Sequence, residues 1–348
     1  MSALYTDLSL AAQTAYAEVL DQARTLELDA LAGLTGSFQQ RTIKGSHYVY
    51  FGYRDPIGDA QRRVYVGPAD ERVNALVARF NAAKAPKRLA PNAQAALALG
   101  CAATLPKHYR IVRQLAAYGF FKAGGVLIGT HAFVAMANML GVRWTSGDRT
   151  LDVDFAHAGR NVSLALPTDV RLSVHDALTS LEMGLLPIQE LSSGQTGGQY
   201  RNPEDPELRL DFLTPLTRAP GPVVMENLGL TLEPLKFMEF SLEGTTQAAL
   251  LSRDGGCVVN IPSPARYAVH KLIVFGERDT SARVKAVKDI GQAAALAQWH
   301  LLNGQADRFR EAWSDARGRG RGWKSRADEG RQALLARHPD LNDAALWG

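Results

Sequence analysis

Two short segments constrain this chain more than any other: Leu151-Asp152-Val153-Asp154-Phe155 and Leu210-Asp211-Phe212. Each alternates apolar and acidic residues. A half-buried strand can use that pattern, because side chains two apart project from the same face. The spacing predicts strands with carboxylates on one side and Leu151, Val153 and Phe155 anchored in a core on the other. Asp152 and Asp154 then stand together and repel each other unless a cation lies between them. Mg²⁺ or Mn²⁺ is the natural partner, since hard cations take oxygen donors and are commonly shared between carboxylates and substrate phosphates. Asp211 supplies a third carboxylate if its strand lies beside the first. Two ions held this way can activate an attacking oxygen and stabilise a leaving one.

A glycine-rich turn precedes the first strand: Gly124-Gly125-Val126-Leu127-Ile128-Gly129-Thr130. Glycine lets backbone N–H groups approach a phosphate, and a helix starting near Thr130 points its positive end at the anion. Gly129 and Thr130 are therefore candidates for holding the terminal phosphates of a nucleotide.

Together these elements resemble the nucleotidyltransferase superfamily of the DNA polymerase β type. The matching segments are the turn GTHA, the strand TLDVDFA with its Asp-x-Asp, and the later strand RLDFLTP. Upstream, KGSHYVYFGY and YVGP are similar to a bacterial family of nucleotidyltransferase-fold proteins. PARYAVHKLIVFGERDTSARVKAVKDI is similar to a helical stretch of abortive-infection toxin nucleotidyltransferases. The resemblance implies metal binding and catalysis by Asp152, Asp154 and Asp211. It also implies nucleotide contacts from Gly129, Thr130, Lys271, Asp289, Arg278 and Arg283. The implied reaction moves NMP from an NTP to an acceptor: a tRNA or other RNA in a toxin-like enzyme, or a small molecule. A non-catalytic nucleotide- or nucleic-acid-binding protein on the same fold is the alternative. One departure from the pattern is the 21 residues between Thr130 and Asp152, which an insertion at GVRWTSGDRT explains.

The remaining sequence frames this unit. The expected class is α/β (α+β), a mixed sheet flanked by helices, with helical additions at both ends. Residues 1–118 read as helices carrying a small β-hairpin at about 36–68, 119–262 as the catalytic domain, and 263–348 as a helical region. No fixed-period repeat is present, which excludes solenoids. Tyr48, Tyr50 and Tyr53, with Arg41, Lys44, Arg62 and Arg63 nearby, either pack in the small sheet or form a stacking platform for single strands. His131 and His157 flank the motifs and read as structural or surface histidines rather than ligands.

Charge is uneven. Residues 308–326 hold Arg308, Arg310, Arg317, Arg319, Arg321, Lys324 and Arg326 against Glu311 and Asp315, so the rest of this +4 chain is close to neutral. GRGRGWKSR reads as a basic, low-complexity joint before a last short helix, and as an RNA contact. Cys101 and Cys257 form no CxxC pair, which argues against structural zinc or a disulfide framework and suits a reducing cytosol. The first residues read as an amphipathic helix, and no apolar run is long enough to span a bilayer. A cytoplasmic protein with no membrane partner is expected, and a regulatory protein partner is left open.

Overall fold

The protein is described from a computed structural model covering residues 3–28, 36–43, 45–54, 61–84, 89–148, 150–158, 173–189, 196–217, 221–278 and 283–348. The chain begins with strand β1 (Tyr5–Asp7) and helix α1 (Leu10–Leu28), followed by β2 (Ser37–Ile43), β3 (Ser46–Arg54) and β4 (Gln61–Pro68). These last three form an antiparallel sheet in that order, one strand more than the expected hairpin. Helix α2 (Glu71–Lys84) covers one of its faces. There Phe80 meets Phe38 and Phe51 edge-on at 4.9 and 5.6 Å. Tyr50 packs against Tyr65, and Tyr53 stacks on Phe51, so these tyrosines are partners of the small sheet.

Helices α3 (Ala90–Ala98) and α4 (Pro106–Ala117) lead to the central unit: β5 (Val126–Leu127), α5 (Gly129–Met139), β6 (Val142–Trp144) and β7 (Asp152–Ala156). After α6 (Val174–Thr179) come β8 (Leu186–Gln189), β9 (Thr196–Arg201), β10 (Arg209–Pro215), β11 (Val223–Met225) and β12 (Leu230–Leu235). The strand path runs β11-β12-β10-β7-β5, with β9 also on β10 and β8 on β9. β7 and β10 are parallel, while β5 and β9 are antiparallel to them, so the sheet is mixed as expected. Strand β6 does not join it. It pairs with β1, and the long stretch between Thr130 and Asp152 is spent on this side excursion.

The period-two pattern explains the central pair. Val153, Phe155, Leu210 and Phe212 are fully buried, and the Phe155 and Phe212 rings stack at 5.0 Å with Phe120 edge-on to both. Leu151 corrects the expected pattern: it lies before the strand and is 43% exposed. The expected strand or loop over 162–172 lies outside the described residues.

Helix α7 (Met238–Leu242) occupies KFMEFSL, where a strand was expected. Strands β13 (Thr245–Ser252) and β14 (Gly255–Pro262) then pair across the expected turn and pack on α1 and α5. Tyr16 in α1 accepts a hydrogen bond from the Ala249 N–H at 2.9 Å.

The C-terminal helices are α8 (Pro264–Glu277), α9 (Arg283–Leu302), α10 (Ala306–Gly318), α11 (Arg321–Arg337) and α12 (Ala344–Trp347). GRGRGWKSR is therefore no joint, because only Arg319 and Gly320 separate two regular helices. Its side chains are structural: Trp323 meets Phe237 edge-on at 4.7 Å, and the Arg319 guanidinium lies over the Phe240 and Trp323 rings. Glycines bring α11 onto α8. A Cβ at Gly330 would stand 2.3 Å from the Leu272 carbonyl oxygen, and one at Gly276 would stand 2.7 Å from the Arg326 carbonyl oxygen.

Candidate active site

Parallel pairing of β7 and β10 sets Asp211 beside Asp154 and Arg209 beside Asp152. With Asp152 two residues from Asp154, three carboxylates share one face of two adjacent strands, each half-buried. Among the described residues none of the three is bonded to a cationic side chain. The electrostatic consequence is direct. Burial first, then Asp211 and Asp152, push the Asp154 carboxyl up to about 6, against the pull of Lys271 and Lys285. Asp211 is raised as well, by burial and by Asp152, with Lys285 and Arg209 opposing.

The turn before α5 closes on this cluster. Gly129 has φ +62°, and a Cβ there would lie 2.1 Å from Asp154 Oδ2. Both the backbone and the contact therefore demand glycine. The Ile128 N–H donates to the Asp154 carbonyl at 3.0 Å, which ties turn to strand. The Tyr267 hydroxyl lies 2.9 Å from the Gly129 carbonyl and 2.9 Å from Gln292 Oε1. Gln292 in turn donates its amide to the Gly147 carbonyl at 2.7 Å. Thr130 lies in the first turn of α5 and is buried.

Helices α8 and α9 bring cations to the same place. Lys271 Nζ donates to Asp289 Oδ1 at 2.7 Å, and Arg278 Nε donates to Asp289 Oδ2 at 2.7 Å. Asp289 is almost wholly buried with both oxygens engaged. It fixes the two cations and presents no free oxygen, so its placement is that of a positioning residue. Lys288 also faces this cluster, its amine lowered by burial and by Lys271. The side chain of Arg283 lies outside the described residues.

The donor set fits a hard divalent cation: three carboxylates with excess negative charge and no sulfur or imidazole among them. Among the described residues, no three His, Cys, Asp or Glu side chains close around a single point. Asp152, Asp154 and Asp211 are the residues that could contribute oxygens to such an ion, and Mg²⁺ commonly takes one or two carboxylates with phosphate oxygens.

A family model described as nucleotidyltransferase matches residues 107–318. The chain belongs to the nucleotidyltransferase family. Comparison with curated proteins and with solved structures gives no match. The nucleotidyltransferase match runs from α4 to α10 and contains every site residue named above. No helix among the described residues is long and apolar enough to cross a membrane.

Sequence reasoning missed several residues of this candidate site. Arg209 lies two positions before Asp211 on the same strand, so the period that revealed Asp211 also places Arg209 on its face. Lys285 lies one helical turn before Asp289. Tyr267 lies four residues before Lys271 on α8 and carries the hydroxyl that holds Gly129. His108 and Thr104, which line a cleft beside Asp152, come from a distant segment and show no periodic signal.

Proposed function

We propose that this nucleotidyltransferase moves a nucleoside monophosphate from an NTP to an acceptor in a reaction that depends on a divalent cation. The observation that carries the reading is the β7–β10 register, which sets Asp154 against Asp211 under the Gly129 backbone. An acceptor oxygen attacks the α-phosphorus, a new P–O bond forms, and the bond to the departing pyrophosphate breaks. Asp152, Asp154 and Asp211 would hold the divalent cation, which would supply charge neutralisation at the reacting phosphate. Asp211, beside Asp154 on the neighbouring strand, takes the acceptor proton. The backbone at Gly129 and the start of α5 face the terminal phosphates. Lys271, held rigid by Asp289, offsets charge on the leaving pyrophosphate, and Arg278 backs it from the other oxygen of Asp289.

RNA as acceptor draws less support from residues 308–326 than their charge suggests. Arg310, Arg317, Arg319 and Arg326 are each paired with a carboxylate, which leaves Arg308, Arg321 and Lys324 exposed and free to meet a phosphate backbone.

The test is incubation of the full chain with each α-³²P-NTP and Mg²⁺ or Mn²⁺, together with cellular RNA, protein and small-molecule fractions. Label should enter one fraction with the wild type, and no fraction with Asp152→Asn or Asp211→Asn. The fraction labelled names the acceptor class. Transfer that survives both substitutions, or that proceeds in excess EDTA, would overturn the reading.

A further inference from the structure

A cleft of about 1050 Å³ opens beside Asp152, between the start of α4, one side of α5 and the first residues of β7 and β10. Much of its wall is apolar, from Leu105, Val134, Leu151 and Pro206. Three buried polar side chains interrupt that wall: Thr104, His108 and His131, only 5%, 0% and 4% exposed. Among the described residues, Thr104 Oγ1, His108 Nε2 and His131 Nδ1 have no hydrogen-bond partner. Buried polar groups are normally satisfied, so three orphans in one wall call for a ligand that satisfies them.

The histidines narrow its chemistry. His108 Nδ1 and His131 Nε2 lie 3.0 Å apart, so one of them donates a proton to the other. Burial lowers His108 to about 4 and His131 to about 3, so both rings are neutral at pH 7. A neutral imidazole has one N–H and one lone pair. Whichever ring donates, the two remaining nitrogens therefore comprise one donor and one acceptor. The opposite pair of tautomers, in which both rings have exchanged their proton positions, reverses their order. The charged lining residues, Asp148, Asp152, Glu207, Arg209 and Lys285, are the more exposed ones, on the strand and α9 sides of the cleft.

We propose that this cleft receives the nucleobase of the nucleotide whose phosphates lie at the carboxylates. A nucleobase is flat, apolar on its faces and neutral, and its edge sets a donor beside an acceptor. Its sugar and phosphates would leave past Asp152, Arg209 and Lys285. An anionic or ammonium group would meet no opposite charge at Thr104, His108 and His131. The inference rests on the nucleotidyl-transfer reading, and the test separates the two.

Equilibrium binding of each NTP and of inorganic tripolyphosphate, all with Mg²⁺, is measured on the full chain and on two variants. Val134→Phe fills the cleft, and Thr104→Val removes one hydroxyl at constant shape. Affinity for the tightest NTP should fall about tenfold or more in Val134→Phe. In Thr104→Val it should fall roughly fivefold, the worth of one hydrogen bond. Tripolyphosphate affinity should stay unchanged in both. Unaltered NTP affinity in Thr104→Val, with or without a folded Val134→Phe, overturns the pocket and leaves the transfer reading standing. Equal losses for NTP and tripolyphosphate also overturn the pocket, since the phosphate site would then be what the variants disturb. A wild type that binds neither ligand overturns the transfer reading and the pocket with it.

Discussion

At the β7–β10 pair three carboxylates stand together, and among the described residues no cationic side chain is bonded to any of them. Along α10 and α11, by contrast, Arg310, Arg317, Arg319 and Arg326 each meet a carboxylate, and Arg319 spans both Glu243 and Asp315. The first region keeps a charge imbalance at the expense of stability. The second cancels its charge locally and glues helices together. Residue counts alone would rank the basic segment as the more functional of the two, and the pairing pattern reverses that order.

The sharpest way to break the comparison is Asp154→Asn. It should reduce transfer by about a thousandfold, equivalent to roughly 4 kcal/mol on the barrier. In metal-free protein it should also raise stability by about 1–2 kcal/mol, because a carboxyl lifted by burial and like charge is a cost when ionised. Calorimetry without metal reads the second effect. A lowered melting temperature would mean the carboxylate cluster is structural after all.

Next in size is Asp289→Ala, which strips one acid from two cations in a nearly buried triad. Removing one partner of a buried pair costs about 3–5 kcal/mol. Chemical denaturation measures it, and a change below about 1 kcal/mol would place Asp289 with the surface pairs.

Acid should act through the histidines. Burial lowers His108, His131, His270 and His300 to about 4, 3, 3 and 4, below the ordinary 6.5 of the unfolded chain. The unfolded state then binds protons that the folded state refuses. Stability is complete above about pH 7 and falls as pH drops through 6.5 toward 4. The loss by pH 5 is about 2 kcal/mol for each histidine that behaves this way. Asp154 works in the opposite sense, since protonation relieves its repulsion as pH falls through about 6. The acid loss should therefore be steeper in Asp154→Asn than in the wild type, and parallel melting curves against pH would refute that opposition.

The smallest effect expected is that of Arg317→Gln. Arg317 and Asp328 are each about one-third exposed, and pairs of that kind contribute less than about 1 kcal/mol. A larger loss in thermal denaturation would mark the helix pairing as more than surface glue.

Much of the site was legible in sequence because one physical rule carried it. Strand alternation puts charge on one face and Phe155 and Phe212 on the other, and the same rule would have found Arg209. The family resemblance added Lys271 and Arg278, but the double engagement of Asp289 comes from the approach of α8 to α9, which spacing cannot express. The segment 318–326 was misread as a joint because its basic, low-complexity composition suits a loop as well as a helix. Gly320, at φ +137°, does sit at a break, whereas Gly276 and Gly330 are there to let backbones touch. His108 meets His131, and Thr104 joins the same cleft wall, only through tertiary packing, so nothing local announces them.

The Gly330 contact has a practical bearing on how this protein is cut and fused. The α8 helix carries Lys271 at one position, and at the next, Leu272, its backbone is pressed against α11. A chain trimmed at residue 318, where the family match stops, would retain every carboxylate and lose the backplate that sets how deep the lysine sits. Such a truncation would look complete on a domain map and have a misaligned cation.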